Sequence, residues 1–212
     1  MLITEMLAIF FIAYFFGAIP WGFIIGKANK IDIREHGSKN IGSTNVTRVV
    51  GSKWGKLCFL LDFLKGFLPS FLTIFILPKY IVLSSSSADI CIILAVVGSF
   101  MGHIFPIYLK FKGGKGVATG AGALLALSPL AVLIGLIFWV LIFKISRYVS
   151  LASILAAVIV SIATTVLSQT GVYPISATLQ IFVALVSLIA IIKHKSNIIR
   201  LLNGTENRFE KK

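Results

Sequence analysis

Four predominantly apolar stretches of membrane length, at about 4–26, 55–78, 88–109 and 149–167, constrain this chain more than any other feature. A hydrocarbon core about 30 Å thick takes about 20 apolar residues in helical form, and a fifth run at about 173–192 is just long enough. Composition leaves little room for another class. Of 212 residues, 58% are hydrophobic and 13% charged, with a mean hydropathy of +0.99, whereas soluble domains carry roughly 25% charged residues. A soluble fold would have nothing polar left to cover such a core. The expectation is an all-α integral membrane protein, one polytopic domain over 1–212.

A formal net charge of +13 would suit nucleic acid, but its placement argues otherwise. There is no basic helix and no array of aromatic and basic residues; the cations sit in short loops between apolar runs, as in cytoplasmic membrane loops. Part of this charge can face anionic lipid or an anionic substrate. No nucleic-acid partner is expected.

Topology turns on the 27 uncharged residues between Gly116 and Lys144. A single crossing would put Lys144 and Arg147 across the membrane from Lys110, Lys112 and Lys115. A fold back at Ser128-Pro129 keeps them together, and proline opposes helix continuation through that point. The folded-back arrangement places 18 of the 20 Lys and Arg residues on one side, with Lys65 inside a span and Lys79 opposite. The positive-inside rule chooses it. Seven helical segments follow, the fourth (about 117–127) and fifth (about 130–143) short, as two crossings or a re-entrant hairpin. The N-terminus is then outside and the C-terminus cytoplasmic. Trp21, Trp54, Tyr108, Trp139 and Tyr148 fall at the cytoplasmic level, and Tyr80 and Tyr173 at the other.

Smaller features read structurally. Glu5 stands where a secretory leader would carry a basic region, so the first run is expected to be an uncleaved span. Cys58 and Cys91 lie in apolar runs without a ligand-spaced partner and pack as small hydrophobes. Pro20, between Gly17 and Gly22, bends the first helix near its cytoplasmic end. Asp62 and Lys65, three apart on one helix, can pair; an intramembrane ion is by default functional, yet this spacing favours self-pairing or packing support. His103, at a helix end beside Gly102, reads as structural.

Three polar patches interrupt the apolar chain. The first, around 36–51, offers Ser38, Ser43 and Thr44 hydroxyls, the amides of Asn40 and Asn45, the Arg48 guanidinium, and tight turns at Gly37 and Gly42. Arginine presents a planar fork to phosphate oxygens. The second, Gly113-Gly114-Lys115-Gly116, stands directly before the fourth helix, where glycines let backbone N–H groups approach an anion. It is not a Walker A loop, since Leu109 and Gly116 occupy positions that require Gly and Ser or Thr. The third, 193–206, brings His194, Asn197 one helical turn later, and Glu206. Lys193 and Lys195 are expected to favour the neutral form of His194, able to accept a proton. Each patch alone also reads as a solvated connecting loop.

Together the patches resemble the bacterial acyl-phosphate:glycerol-3-phosphate acyltransferase family, the membrane enzymes called PlsY, over nearly the whole length. The motifs read GSKNIGSTNVTRVVG at 37–51, GHIFPIYLKFKGGKGVATGAG at 102–122 and KHKSNIIRLLNGTE at 193–206; GAIPWGFIIGK at 17–27 and LDFLKG at 61–66 also match. The resemblance implies catalytic roles for Ser38, Arg48, His194 and Asn197. It implies substrate or phosphate binding by Ser38, Thr44, Asn45, Arg48, Gly113, Gly114, Lys115 and Gly116, and structural support from Glu206. Lys39 stands where the family commonly has Gly, and Ser43 where it has Ala, which bears on the loop's conformation.

The resemblance further implies acyl transfer from acyl phosphate to the sn-1 hydroxyl of glycerol 3-phosphate, on the cytoplasmic face of the bacterial cell membrane, early in phospholipid synthesis. No cofactor and no metal are implied. Partners would be the two substrates, the bilayer and, transiently, a peripheral enzyme that makes acyl phosphate. The positions five after His36, His103 and His194 are Ile41, Tyr108 and Ile199, so the H-x-x-x-x-D dyad of other glycerolipid acyltransferases is missing. The competing class is a small transporter or flippase for an anionic solute. It would want polar groups at mid-membrane and an inverted repeat; only Asp62 and Lys65 qualify, and no repeat is visible. The family reading further expects the three patches to meet at the cytosolic surface.

Overall fold

The computed structural model describes residues 3–209; Lys211 and Lys212, counted above among the cytoplasmic cations, lie outside the described residues. Within them the chain forms ten α-helices and no strand. These are α1 (Ile3–Gly17), α2 (Trp21–Ala28), α3 (Ser43–Val49), α4 (Ser52–Phe71), α5 (Ser85–Ile104), α6 (Val117–Leu127), α7 (Pro129–Ser146), α8 (Val149–Gln169), α9 (Ala177–Ile192) and α10 (Lys195–Leu202). Five stretches are long and apolar enough to cross a bilayer: Ile3–Ala28, Ser52–Lys79, Ser85–Leu109, Pro129–Ser146 and Val149–Gln169. A sixth arises if α9 and α10, bent by 57°, count as one span.

The chain is thus an all-α, multi-pass membrane protein, with the expected runs in the expected order. α6 holds its expected bounds, and its 11 residues extend about 17 Å at 1.5 Å each. α7 is longer than its expected limits of 130–143. Pro129 occupies its first turn, where the missing N–H costs nothing, and the helix runs to Ser146. Lys144 does not stop it because a long apolar stem lets the ammonium reach polar surroundings. The stop comes at Arg147, with φ +64°. Pro20 interrupts the helix within the first span: α1 ends at Gly17 and α2 begins at Trp21 with Pro20 as its N-cap.

The chain divides into two compact units, one up to Leu127 and one from Ser128. In the first, α1 pairs with α5 and α4 with α6, both through glycine. A Cβ on Gly98 or Gly102 would overlap the carbonyl oxygens of Phe10 or Tyr14 on α1. One on Gly66 or Gly122 would overlap those of Thr119 or Phe63 across the α4–α6 seam. Lipid supplies no hydrophobic drive between helices, so close main-chain approach and dispersion hold such seams together. A separate apolar cluster of Ile25, Ile33, Ile41, Val46, Cys58 and Leu109 seats α2, α3 and the loop between them on α4. On α4 the rings of Phe59, Phe63, Phe67 and Phe71 stack at four-residue spacing, and Phe75 just beyond its end continues the row at a tilt, while Asp62 and Lys65 are buried.

In the second unit α8 packs against α7 and α9. Trp139 Nε1 donates to Ser153 Oγ at 3.1 Å, joining α7 to α8. Gln180 Nε2 donates to Ser168 Oγ at 2.9 Å, joining α9 to the end of α8. Cys58 and Cys91 are both buried, and neither is in a disulfide.

Candidate active site

The first patch is shaped by Asn45, 1% exposed on α3. Its Oδ1 accepts the Ser38 N–H at 2.8 Å, and its Nδ2 donates to the carbonyls of Ile33 at 2.9 Å and His36 at 3.1 Å. Three bonds from one amide close the loop 33–38 on itself. Gly37 completes the turn: its φ is +58°, and a Cβ there would overlap Asn45 Oδ1. Lys39 is also left-handed, at φ +58°, which explains why glycine suits that position. Asn40 Oδ1 accepts the Gly42 N–H at 2.8 Å just before α3. Ser38, Thr44 and Arg48 are half-buried at the rim of this loop. Asp32, at its start, accepts Arg34 Nε at 2.9 Å and ion-pairs with Lys27 at 3.1 Å. The Arg34 guanidinium holds that carboxyl well below the usual range, against a smaller opposing desolvation.

The second patch runs from the end of α5 to the start of α6. Lys110 and Phe111 are consecutive left-handed residues, at φ +51° and +61°, and they turn the chain back toward α5. There the Gly114 N–H donates to the His103 carbonyl at 3.1 Å. Gly113 fits only without a side chain, because a Cβ would overlap the His103 carbonyl and the Pro106 ring. Gly116, at φ +83°, lies against the Phe100 ring. Lys115 is half-buried between two buried glycines. Both patches belong to the first unit, so one folding unit carries Ser38, Arg48 and Lys115.

The third patch belongs to the second unit. His194 caps α10 at the bend after α9 and is 3% exposed. Its Nδ1 lies 2.8 Å from the Ala190 carbonyl. A carbonyl only accepts, so Nδ1 carries a proton and the neutral ring keeps Nε2 as its acceptor nitrogen. Glu206 is a hub: Oε1 accepts Asn197 Nδ2 at 2.7 Å and Ser150 Oγ at 3.0 Å, and Oε2 accepts Arg200 Nε at 2.7 Å. Burial pushes the Glu206 carboxyl up, but these donors outweigh it and leave the group below its ordinary value. The chain after α10 is fastened further by the Phe209 N–H to the Arg147 carbonyl at 3.1 Å. Among the described residues no three His, Cys, Asp or Glu side chains gather as metal ligands.

The Asp62–Lys65 pair has a third neighbour. Asp62 and Lys65 pair at 2.9 Å as their spacing requires, but His103 joins them, its Nδ1 at 3.6 Å from Asp62 Oδ1. No single-sequence signal connects a histidine on α5 with a carboxylate on α4.

Fold and loop chemistry define a multi-pass integral membrane protein whose helix ends carry anion-suited loops. The family model described as glycerol-3-phosphate acyltransferase matches residues 7–204. The glycerol-3-phosphate acyltransferase of Desulfotalea psychrophila is 44% identical over 201 residues, covering 95% of this chain and 96% of that relative. Its counterpart in Aquifex aeolicus is 40% identical over 200 residues, covering 93% and 95%. Among solved structures, the glycerol 3-phosphate form of PlsY (YgiH), an integral membrane glycerol 3-phosphate acyltransferase, superposes with a TM-score of 0.85 at 37% identity, over 97% of this chain and 96% of that one. Its lysophosphatidic acid form gives 0.83. The chain belongs to the glycerol-3-phosphate acyltransferase family, as a PlsY-type member.

Proposed function

We propose that this protein transfers a fatty acyl group from acyl phosphate to the sn-1 hydroxyl of glycerol 3-phosphate, releasing phosphate and lysophosphatidic acid. The observation that carries the reading is the likeness, along almost the full length, to a PlsY structure in its glycerol 3-phosphate form. The loop chemistry supports it. Acyl phosphate is already activated, so the protein must hold two mutually repelling anions and align a hydroxyl with a carbonyl carbon. Alignment of this kind lowers a barrier by roughly 7–11 kcal/mol in favourable cases.

In this reading Arg48, Lys115 and the backbone of residues 113–116 grip phosphate oxygens, with hydroxyl donors from Ser38 and Thr44. Asn45 serves them indirectly, by holding the loop. The hydroxyl oxygen attacks the acyl carbon, the C–O bond to phosphate breaks, and the proton goes to a substrate phosphate oxygen, whose second pKa is about 6. His194 and Asn197 orient the reactants by hydrogen bonds, and Glu206 holds Asn197 in place. The reaction takes place on the cytoplasmic side of the cell membrane, and a peripheral enzyme delivers the acyl phosphate.

The test is turnover of purified protein in detergent with acyl phosphate and glycerol 3-phosphate, read as phosphate release. Arg48→Ala and Lys115→Ala should each raise the KM for glycerol 3-phosphate at least about tenfold. Unchanged kinetics would remove the phosphate assignment, and turnover with acyl-CoA alone would replace the donor. Absence of product with either donor would favour the transporter class.

A further inference from the structure

Asp62 and Lys65 form a buried ion pair within a membrane span, with side chains 3% and 1% exposed. Charge at that depth costs several kcal/mol per ion unless it is paired. Pairing offsets part of this cost, and the cluster makes further contacts. Lys65 Nζ also donates to the Ile19 carbonyl at 2.7 Å, which ties α4 to the break between α1 and α2. Asp62 Oδ1 faces His103 Nδ1 at 3.6 Å on α5. The opposite edge of that ring lies against Gly114, where any Cβ would overlap Nε2. The backbone of the same histidine accepts the Gly114 N–H. The charged cluster therefore ends on the glycine-rich loop. Apolar residues of similar volume would seal the α4–α5 contact as well or better, so three ionisable groups here fix geometry rather than add stability.

We propose that the buried Asp62–Lys65–His103 cluster is the positioning device of the glycine-rich loop. Lys65 holds Asp62, the Asp62 carboxylate packs against the His103 ring at 3.6 Å, beyond hydrogen-bond length, and the ring and carbonyl of His103 set the backbone of residues 113–116 for the anionic end of glycerol 3-phosphate. His103 is a positioning residue that acts through Gly114. The proposal rests on the assignment of that loop to the phosphate, made above.

Two variants test it, His103→Gln and the uncharged, near-isosteric double change Asp62→Asn with Lys65→Met. Glycerol 3-phosphate binding is read by calorimetry, and KM for both substrates by phosphate release with palmitoyl phosphate as donor. The expected result is a folded protein with an unfolding temperature near the parent, weaker glycerol 3-phosphate binding by at least about tenfold, and a KM for palmitoyl phosphate within about twofold. Gly114→Ala added to His103→Gln should weaken binding little further, because both changes act on one contact. A folded variant that binds glycerol 3-phosphate like the parent overturns the proposal. So does failure of both variants to fold, which would assign the cluster to stability alone. Lys115→Ala run alongside separates the two readings. If it too leaves binding unchanged, the loop assignment has failed; if it alone weakens binding, only the positioning role has.

Discussion

Asn45 and Ser38 are locked together: the carbonyl oxygen of one side chain accepts the backbone N–H of the other at 2.8 Å, deep under the loop that displays the Ser38 hydroxyl. The serine is thus presented by an amide seven residues further along, and the two residues should fail in different ways. Asn45→Ala strands the Ser38 N–H and two carbonyls, at a cost of about 2–3 kcal/mol, with loss of turnover. Ser38→Ala should lose turnover at nearly parental stability. Thermal unfolding in detergent beside the phosphate-release assay checks both. A fully active Asn45→Ala protein would show that the loop does not depend on this amide.

Lys39 sits at φ +58°, where a Cβ crowds the next carbonyl and costs about 1–2 kcal/mol. Glycine removes that crowding but gives back some freedom to the unfolded chain. Lys39→Gly should therefore stabilise by about 0.5–1 kcal/mol, seen as a higher unfolding temperature with activity retained. A lower temperature would mean that the lysine side chain makes a compensating contact.

Gly66 faces the Thr119 carbonyl, with no space for even a methyl group. Gly66→Ala should push α4 from α6 and destabilise the first unit by about 1–3 kcal/mol, the usual range for overpacking. The reduced unfolding temperature should be partly restored by no second-site enlargement, only by restoring glycine.

Glu206 is held below its ordinary carboxyl value of 4.5 by Asn197, Arg200 and Ser150, which together outweigh its burial. A carboxylate with a depressed folded pKa adds stability that is fully present above the unfolded value. That stability is lost as the pH falls below 4.5 through the folded pKa. Unfolding temperature should therefore drop on acidification below that point, and Glu206→Gln should flatten this part of the profile. Equal acid sensitivity in both proteins would place the responsible carboxylate elsewhere.

Ile145, 81% exposed near the end of α7, gives a handle on sidedness, since Cys58 and Cys91 are buried. In intact cells Ile145→Cys should resist a membrane-impermeant thiol reagent and react once the cells are opened. Labelling from outside would reverse the proposed orientation of this helix.

The spans were legible because apolar length alone specifies a membrane helix, and Pro20 marked a bend and Pro129 a fold-back through their missing N–H groups. α3 and α10 were not, since seven or eight residues carry too little periodicity. The surroundings that hold them, a buried Asn45 and a clamped Glu206, are tertiary facts. Burial is also what the sequence hid about Asn45: an amide in a polar patch reads as a ligand until its three partners are known. The pairing of Asp62 with Lys65 follows from helical spacing, whereas His103 reaches them only because α5 packs beside α4. Lys39 was visible as an unusual residue, but its left-handed backbone was not.

Where α1 meets α5, and α4 meets α6, glycines set main chain directly upon main chain, with no intervening layer of rotamers to re-sort. Seams of that kind behave as rigid joints. Any movement within the first unit must then be absorbed by the turns at 29–42 and 105–116, the same turns that bear Ser38 and Lys115.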